Sequence, residues 1–200
     1  MNIFDIFPLT SFFILEILIA GKAIILKNNN VKVSPTSEKG SFKKYLLFAI
    51  YLLVVLVFAL ELINPVFYTG LSFLPTTLSA PLSASFILKI IGILVTTASL
   101  LFLSKTLLDF KNSLRFGHDP NNLGELITTG VFSISRNPFF ISIELYFTGI
   151  ALLLTTPFFI AIALLSIISI HFYILKEEKF LVDNYGESYK SYEKKVRRYF

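Results

Sequence analysis

FFISIELYFTGIALLLTTPFFIAIALLSIISIHFYIL, residues 139–175, is the stretch that decides the fold. It holds two apolar blocks, Phe139 to Thr156 and Phe158 to Leu175, with only the Thr155-Thr156-Pro157 region between them. Each block approaches the roughly 20 residues with which a helix crosses a bilayer, the form in which backbone polar groups find partners within their own segment. A connection that short crosses nothing, so the two blocks are expected to form a tight antiparallel hairpin.

Working outward, three more blocks of this kind lie upstream, Phe7 to Leu26, Tyr45 to Ile63 and Phe86 to Leu103. The whole chain is 54% hydrophobic and only 16% charged, against roughly a quarter charged in soluble domains, and its mean hydropathy is +0.73. The apolar residues come in unbroken runs, with neither a helical nor an alternating stripe. The expectation is an all-α integral membrane bundle of about five transmembrane helices forming one domain, 1–200. Residues 1–104 would supply three spans, and residues 105–200 a loop, the hairpin and an amphipathic tail helix. The first block carries Glu16 and Lys22 but reads as a retained helix. Asp5 stands where a signal peptide would have a basic region, and no small-x-small cleavage site follows.

Basic residues collect in cytoplasmic loops near the ends of spans. Lys27 to Lys44 holds five lysines against one acid, whereas Asn64 to Ser85 holds no charge. Five spans then put the N-terminus outside. They put inside both Lys105 to Arg136 and the tail from Lys176, with its Lys190, Lys194, Lys195, Arg197 and Arg198. Topology and anionic headgroups account for the net charge of +5 without a nucleic-acid partner. The absence of cysteine excludes a disulfide framework, a thiolate nucleophile and cysteine-bound metal. Two histidines, His118 and His171, are too few for a histidine metal site, so no metal is expected.

Between the third and fourth blocks the chain changes character: FKNSLRFGHDPNNLGELITTGVFSISRNP, residues 110–138. A loop this long in a compact bundle is a candidate for function. Asp119-Pro120-Asn121-Asn122 is a turn by its chemistry. Thr128-Thr129-Gly130 is a point where backbone can approach a ligand closely. Pro138 suits the first position of the next helix. Arg136 is 21 residues before Pro157 and Glu178 is 21 after it, so the hairpin sets them at matching depth. The same count pairs Glu144 with His171. Two ionisable groups inside a membrane are costly and functional by default, and a hydrogen bond between them would serve as a structural pair or as part of a substrate-facing stripe.

The order L-I-T-T-G-V-F-S-I-S-R-N-P-F-F (126–140), hairpin, then E-E-K-F-L-V-D-N-Y-G-E-S-Y-K-S-Y-E-K-K-V-R-R (177–198) resembles the isoprenylcysteine carboxyl methyltransferase and phospholipid methyltransferase superfamily. The upstream S-L-R-F-G (113–117) is similar to the segment that precedes this motif in bacterial members. The resemblance implies a membrane methyltransferase that uses S-adenosylmethionine, bound on the cytoplasmic side, and a hydrophobic or lipid-like acceptor reached from the bilayer. It implies a cofactor site of Thr129, Gly130, Phe132, Arg136, Asn137, Pro138, Phe140, Glu177 and Glu178, with Arg136 and Glu178 in the catalytic roles. Asn137 stands where many members have His, Phe140 where many have Tyr, and Ser142 where Gly is common. Two other readings stay open: a membrane NADPH-dependent reductase of the sterol-reductase type, which shares this C-terminal architecture, and an inactive protein of the same fold. The reductase reading lacks an added basic cluster for a 2′-phosphate. Tyr185, Tyr189, Tyr192 and Val196 recur at helical spacing in the tail, which suits an amphipathic helix on the inner leaflet or one that closes over the cofactor.

Overall fold

The computed structural model describes residues 2–31, 42–67, 72, 74–115 and 117–200. Residues 32–41 of the basic loop, 68–71 and 73 of the uncharged one, and Phe116 lie outside the described residues. Among the described residues the fold is entirely helical: α1 (Ile3–Asn28), α2 (Phe42–Phe67), α3 (Thr76–Ser79), α4 (Phe86–Asp109), α5 (Pro138–Leu154), α6 (Pro157–Tyr185) and α7 (Glu187–Glu193), with one 3-10 turn at Gly130–Ser133. Four helices, α1, α2, α4 and α6, are long and apolar enough to cross a membrane. The fifth expected span, α5, has 17 residues, about 25 Å at 1.5 Å per residue. The chain is an integral membrane protein.

Local chemistry sets the boundaries. Asn2 and Asp5 form a capping box that opens α1, satisfying donors that a helix start leaves free. Pro138 and Pro157 occupy the first turns of α5 and α6, where a missing N–H is harmless. The turn between them is held by Thr155 in the left-handed conformation, φ 51°, and by the Thr156 hydroxyl, which accepts from Phe159 N at 3.3 Å. The segment before α4 docks on this turn: Leu82 N donates to Thr155 O at 2.9 Å, and the Thr155 hydroxyl donates to Ser83 O at 2.7 Å.

These contacts fix the directions. The start of α4 lies beside the α5–α6 turn, so α4 and α5 are antiparallel. Phe4 of α1 stacks edge-on with Phe86 and Asn29 reaches Asn112, so α1 runs parallel to α4. The closest packing is α4 on α5. A Cβ on Gly92 would meet Leu153 N at 2.6 Å. One on Gly149 would collide with the Thr96 side chain and backbone. Small residues that let backbones approach are what membrane helices use in place of the hydrophobic effect. Phe58 of α2 meets Phe12, Phe147 and Phe159, tying α2 to this membrane core.

A second, separate core forms where α4 ends and α5 begins. Val131, Phe132, Tyr189 and Tyr192 are buried there, with Phe110, Tyr185 and Val196 packed on them. The tail helix α7 breaks from α6 at Gly186, φ 55°. Its tyrosines turn inward onto the 3-10 turn, so the apolar face expected on the inner leaflet is covered by protein.

Candidate active site

The second core walls a cavity of about 660 Å³, within the range of small-molecule sites. Its floor is the approach to α5, Arg136 and Asn137, and the first residues of that helix, Pro138, Phe139 and Phe140; α6 contributes Tyr173, Glu177 and Phe180. Tyr189 and Tyr192 come from α7, and residues 113–115, 117, 119 and 122–127 of the loop form the remaining wall. That loop is tied down at several points. Arg115 Nε donates to Asn122 Oδ1 at 3.2 Å, and Asn121 N donates to the Asp119 carboxylate at 2.9 Å, completing the expected turn. The Tyr185 hydroxyl donates to Gly124 O at 2.5 Å. His118 Nε2 lies 2.9 Å from Glu177 Oε2, with its ring against Tyr173 and Phe180. Burial and the Lys176 ammonium pull His118 below its ordinary range, so at neutral pH it is an imidazole donating its Nε2–H to the carboxylate.

Arg136 and Glu178 meet as the hairpin count expects: Arg136 Nη2 is 3.2 Å from Glu178 Oε1, with both side chains about nine-tenths buried. Asn137 Nδ2 donates to the same oxygen at 3.1 Å. Arg198 grips the other oxygen, Nε at 2.9 Å and Nη2 at 2.8 Å. Arg136 also reaches Glu193 through Nη1 at 3.1 Å. Its Nε and the hydroxyl of Tyr189 are buried with no partner. Burial holds the Tyr189 and Tyr192 phenols above their ordinary range, so both stay O–H donors. Tyr192 spends its proton on Phe132 O at 2.6 Å.

The remaining expected site residues divide. Phe132, Arg136, Asn137, Pro138, Phe140 and Glu177 line the cavity, while Thr129, Gly130 and Glu178 do not. Gly130, φ 64°, does serve a close approach, but what approaches is Asp109: its carboxylate accepts Val131 N at 2.9 Å and occupies the space a Cβ would need. Glu178, about 100° around the helix from Glu177, sits behind the wall, its carboxylate turned to Arg136, Asn137 and Arg198. The expected Glu144–His171 hydrogen bond is not formed. Instead His171 Nδ1 pairs with the Tyr199 hydroxyl at 2.7 Å, and Glu144 Oε1 is buried without a partner. The tail folds back and supplies a nearer partner than the facing helix. Arg198, Glu193, Asp109, His118 and Tyr51 were not singled out from sequence. The tail arginine and glutamate were visible only as charge, and His118 only as a histidine too isolated for metal.

A family model for phospholipid methyltransferases matches residues 80–188, more than half the chain. The chain belongs to the phospholipid methyltransferase family. Among curated proteins no match was found. The match runs from the segment docked on the hairpin turn to the start of α7. It therefore covers α4, the loop and the hairpin of a membrane methyltransferase fold, and leaves α1, α2, Glu193 and Arg198 outside.

Proposed function

We propose that this family member is an S-adenosylmethionine-dependent methyltransferase that methylates a carboxylate or amine of a lipid-like acceptor by in-line displacement at the cytoplasmic face of the membrane. The observation that carries the reading is the reach of the cavity. Its polar end holds Arg136 and Glu177, and its apolar flank reaches Tyr51 of α2, Ile143 of α5 and Ile170 of α6. Ile170 is seven residues from Glu177 along α6, about 10 Å deeper in the bundle. A water-soluble donor and a greasy acceptor can thus share one space. The basic residues gathered at this end support its assignment to the cytoplasm.

When bound, S-adenosylmethionine supplies an electrophilic methyl group on a sulfonium centre. The residues fit it. Arg136 Nε and the Tyr189 hydroxyl, two buried donors without partners, suit a carboxylate, Arg136 with a planar fork made for that shape. Glu177 suits an amino group or a ribose diol, and the rings of Phe132 and Phe140 suit a cation. Positioning two reactants supplies much of what such a displacement needs. A carboxylate acceptor, with a pKa near 4, is already ionised and needs no base. An amine must lose a proton, and the Glu177 carboxylate is the base placed to take it. Glu178 already accepts four N–H groups from Arg136, Asn137 and Arg198, close to the capacity of a carboxylate. Asn137 gives both amide hydrogens away, to Glu178 and to Arg198 O, so its departure from His removes no proton carrier that this geometry uses.

The test is incubation of the purified full chain in detergent with methyl-labelled S-adenosylmethionine and membrane lipid extract. Label is expected in the lipid fraction, and Arg136→Ala and Glu177→Gln are expected to weaken cofactor binding by about tenfold or more, the scale of a lost charge-assisted hydrogen bond. No binding of S-adenosylmethionine or its demethylated product, with NADPH bound instead, would give the site to the reductase reading.

A further inference from the structure

Residues 197–200 lie across the site like a strap. Arg136 N donates to Arg197 O at 3.0 Å. The Ser135 hydroxyl and Asn137 Nδ2 donate to Arg198 O at 3.1 and 3.2 Å. Tyr199 is bonded to His171, and the Phe200 ring lies 6.2 Å from Phe102. Four consecutive residues are thus fixed to α4, to residues 135–137 just before α5, and to α6, all beyond the family match.

The charges in this strap form a balanced set. Arg136 touches two carboxylates, Glu178 and Glu193, and would be over-neutralised by them alone. Arg198 engages the Glu178 oxygen that Arg136 does not use. That leaves two cations against two anions, and Arg136, which lines the cavity, keeps its buried Nε–H unpaired. We propose that Arg198 is a positioning residue: by holding Glu178 it fixes the Arg136 guanidinium and preserves its pull on an anionic group in the cavity, with Glu193 as the counterweight. The inference rests on the reading that Arg136 meets the carboxylate of the cofactor.

Removing Arg198 leaves the site one charge more negative, so a carboxylate there is bound less well. Removing the Glu193 charge acts the other way, and more weakly because Glu193 is partly exposed and solvent screens it. The experiment measures binding of two probes to the full chain in detergent: S-adenosylhomocysteine, which carries the amino-acid head with its carboxylate and ammonium, and 5′-methylthioadenosine, which keeps the adenosine and lacks that head. Arg198→Gln is expected to weaken S-adenosylhomocysteine by roughly tenfold, as for a charge-assisted contact, and to leave methylthioadenosine within about twofold. Glu193→Gln should tighten S-adenosylhomocysteine by about threefold, and the double variant should recover about half of the loss in free energy or more, since contacts in one network couple. A merely structural strap would weaken both probes alike and show no recovery in the double variant, and either result overturns the proposal. Should Arg198→Gln not fold, Arg198→Met, which keeps the alkyl stem and removes the charge, carries the same comparison, and Glu193→Gln tests the counterweight by itself. If the unaltered chain binds methylthioadenosine but gains nothing from the carboxylate, the inference fails while an adenosine site stands. If it binds neither probe, the cofactor reading itself falls.

Discussion

The two cores of this protein are held by different means. In the membrane core, α4 and α5 meet through Gly92, Thr96 and Gly149, and α2 joins through the Phe58 ring. Across its helices Ser11 and the Tyr146 hydroxyl approach at 3.3 Å. The core at the site end is laced by hydrogen bonds between residues far apart in sequence: Tyr185 to Gly124, Tyr192 to Phe132, Asp109 to Val131, and Glu178 to Arg198. The difference follows from the solvent. Lipid tails are as apolar as leucine, so helices inside them gain by shape and close approach. At the water boundary a loop and a tail must satisfy their own backbone groups, and tyrosines do this while burying rings.

The largest effect should come from disturbing shape in the membrane core. Gly149→Leu is expected to abolish the folded bundle, seen as loss of monodisperse protein in detergent, because the Cβ alone already meets Thr96 and overpacking forces backbone to move. Gly149→Ala should be milder, and Thr96→Ala beside it should restore part of its thermal stability. A bundle that accepts leucine at 149 would show that the α4–α5 approach is looser than its geometry.

Single hydroxyls sharpen the comparison. Tyr192→Phe leaves Phe132 O without its 2.6 Å donor in a buried setting, a cost of about 1–2 kcal/mol. Tyr146→Phe removes only the long contact to Ser11, with membrane hydrogen bonds averaging about 0.6 kcal/mol. Thermal unfolding of the two variants side by side should show a drop of a few degrees for the first and little change for the second. Equal drops would mean that the two cores are held alike.

The same contrast explains what could be read from the sequence. The membrane helices declare themselves by composition, and counting from Pro157 found the Arg136–Glu178 pair because both lie on one rigid hairpin. Counting failed for Glu144 and His171, where Tyr199 arrives from 28 residues away through a chain reversal at Gly186 that no periodicity announces. Nor could adjacency rank Glu177 against Glu178. Only the rotation of α6 decides which one faces the cavity. Arg198 counted as one more tail cation, indistinguishable by composition from Lys194 and Lys195, until the fold placed Glu178 beside it.

The smallest effect is the pH response of the loop. His118 has its pKa depressed by burial and by Lys176, so the unfolded chain binds this proton more readily than the folded one. Stability attached to the neutral imidazole is therefore fully present above the unfolded value near 6.5 and is lost as pH falls through the lower folded value. Other groups face His118 as well. Glu177, which burial pushes up to about 7, opposes the loss twice over, by attracting an imidazolium while it is ionised and by gaining stability as it takes up its own proton on falling pH, and Lys176 deepens the loss. The net slope should be modest, a degree or two in Tm between pH 7 and pH 5. His118→Asn keeps an N–H for Glu177 but cannot titrate, so its Tm should vary less over that interval, with the difference between the proteins becoming constant above pH 7. A steeper loss in the variant would mean that the Glu177 charge, and not burial, governs His118, and that the loop is held by an ion pair at neutral pH.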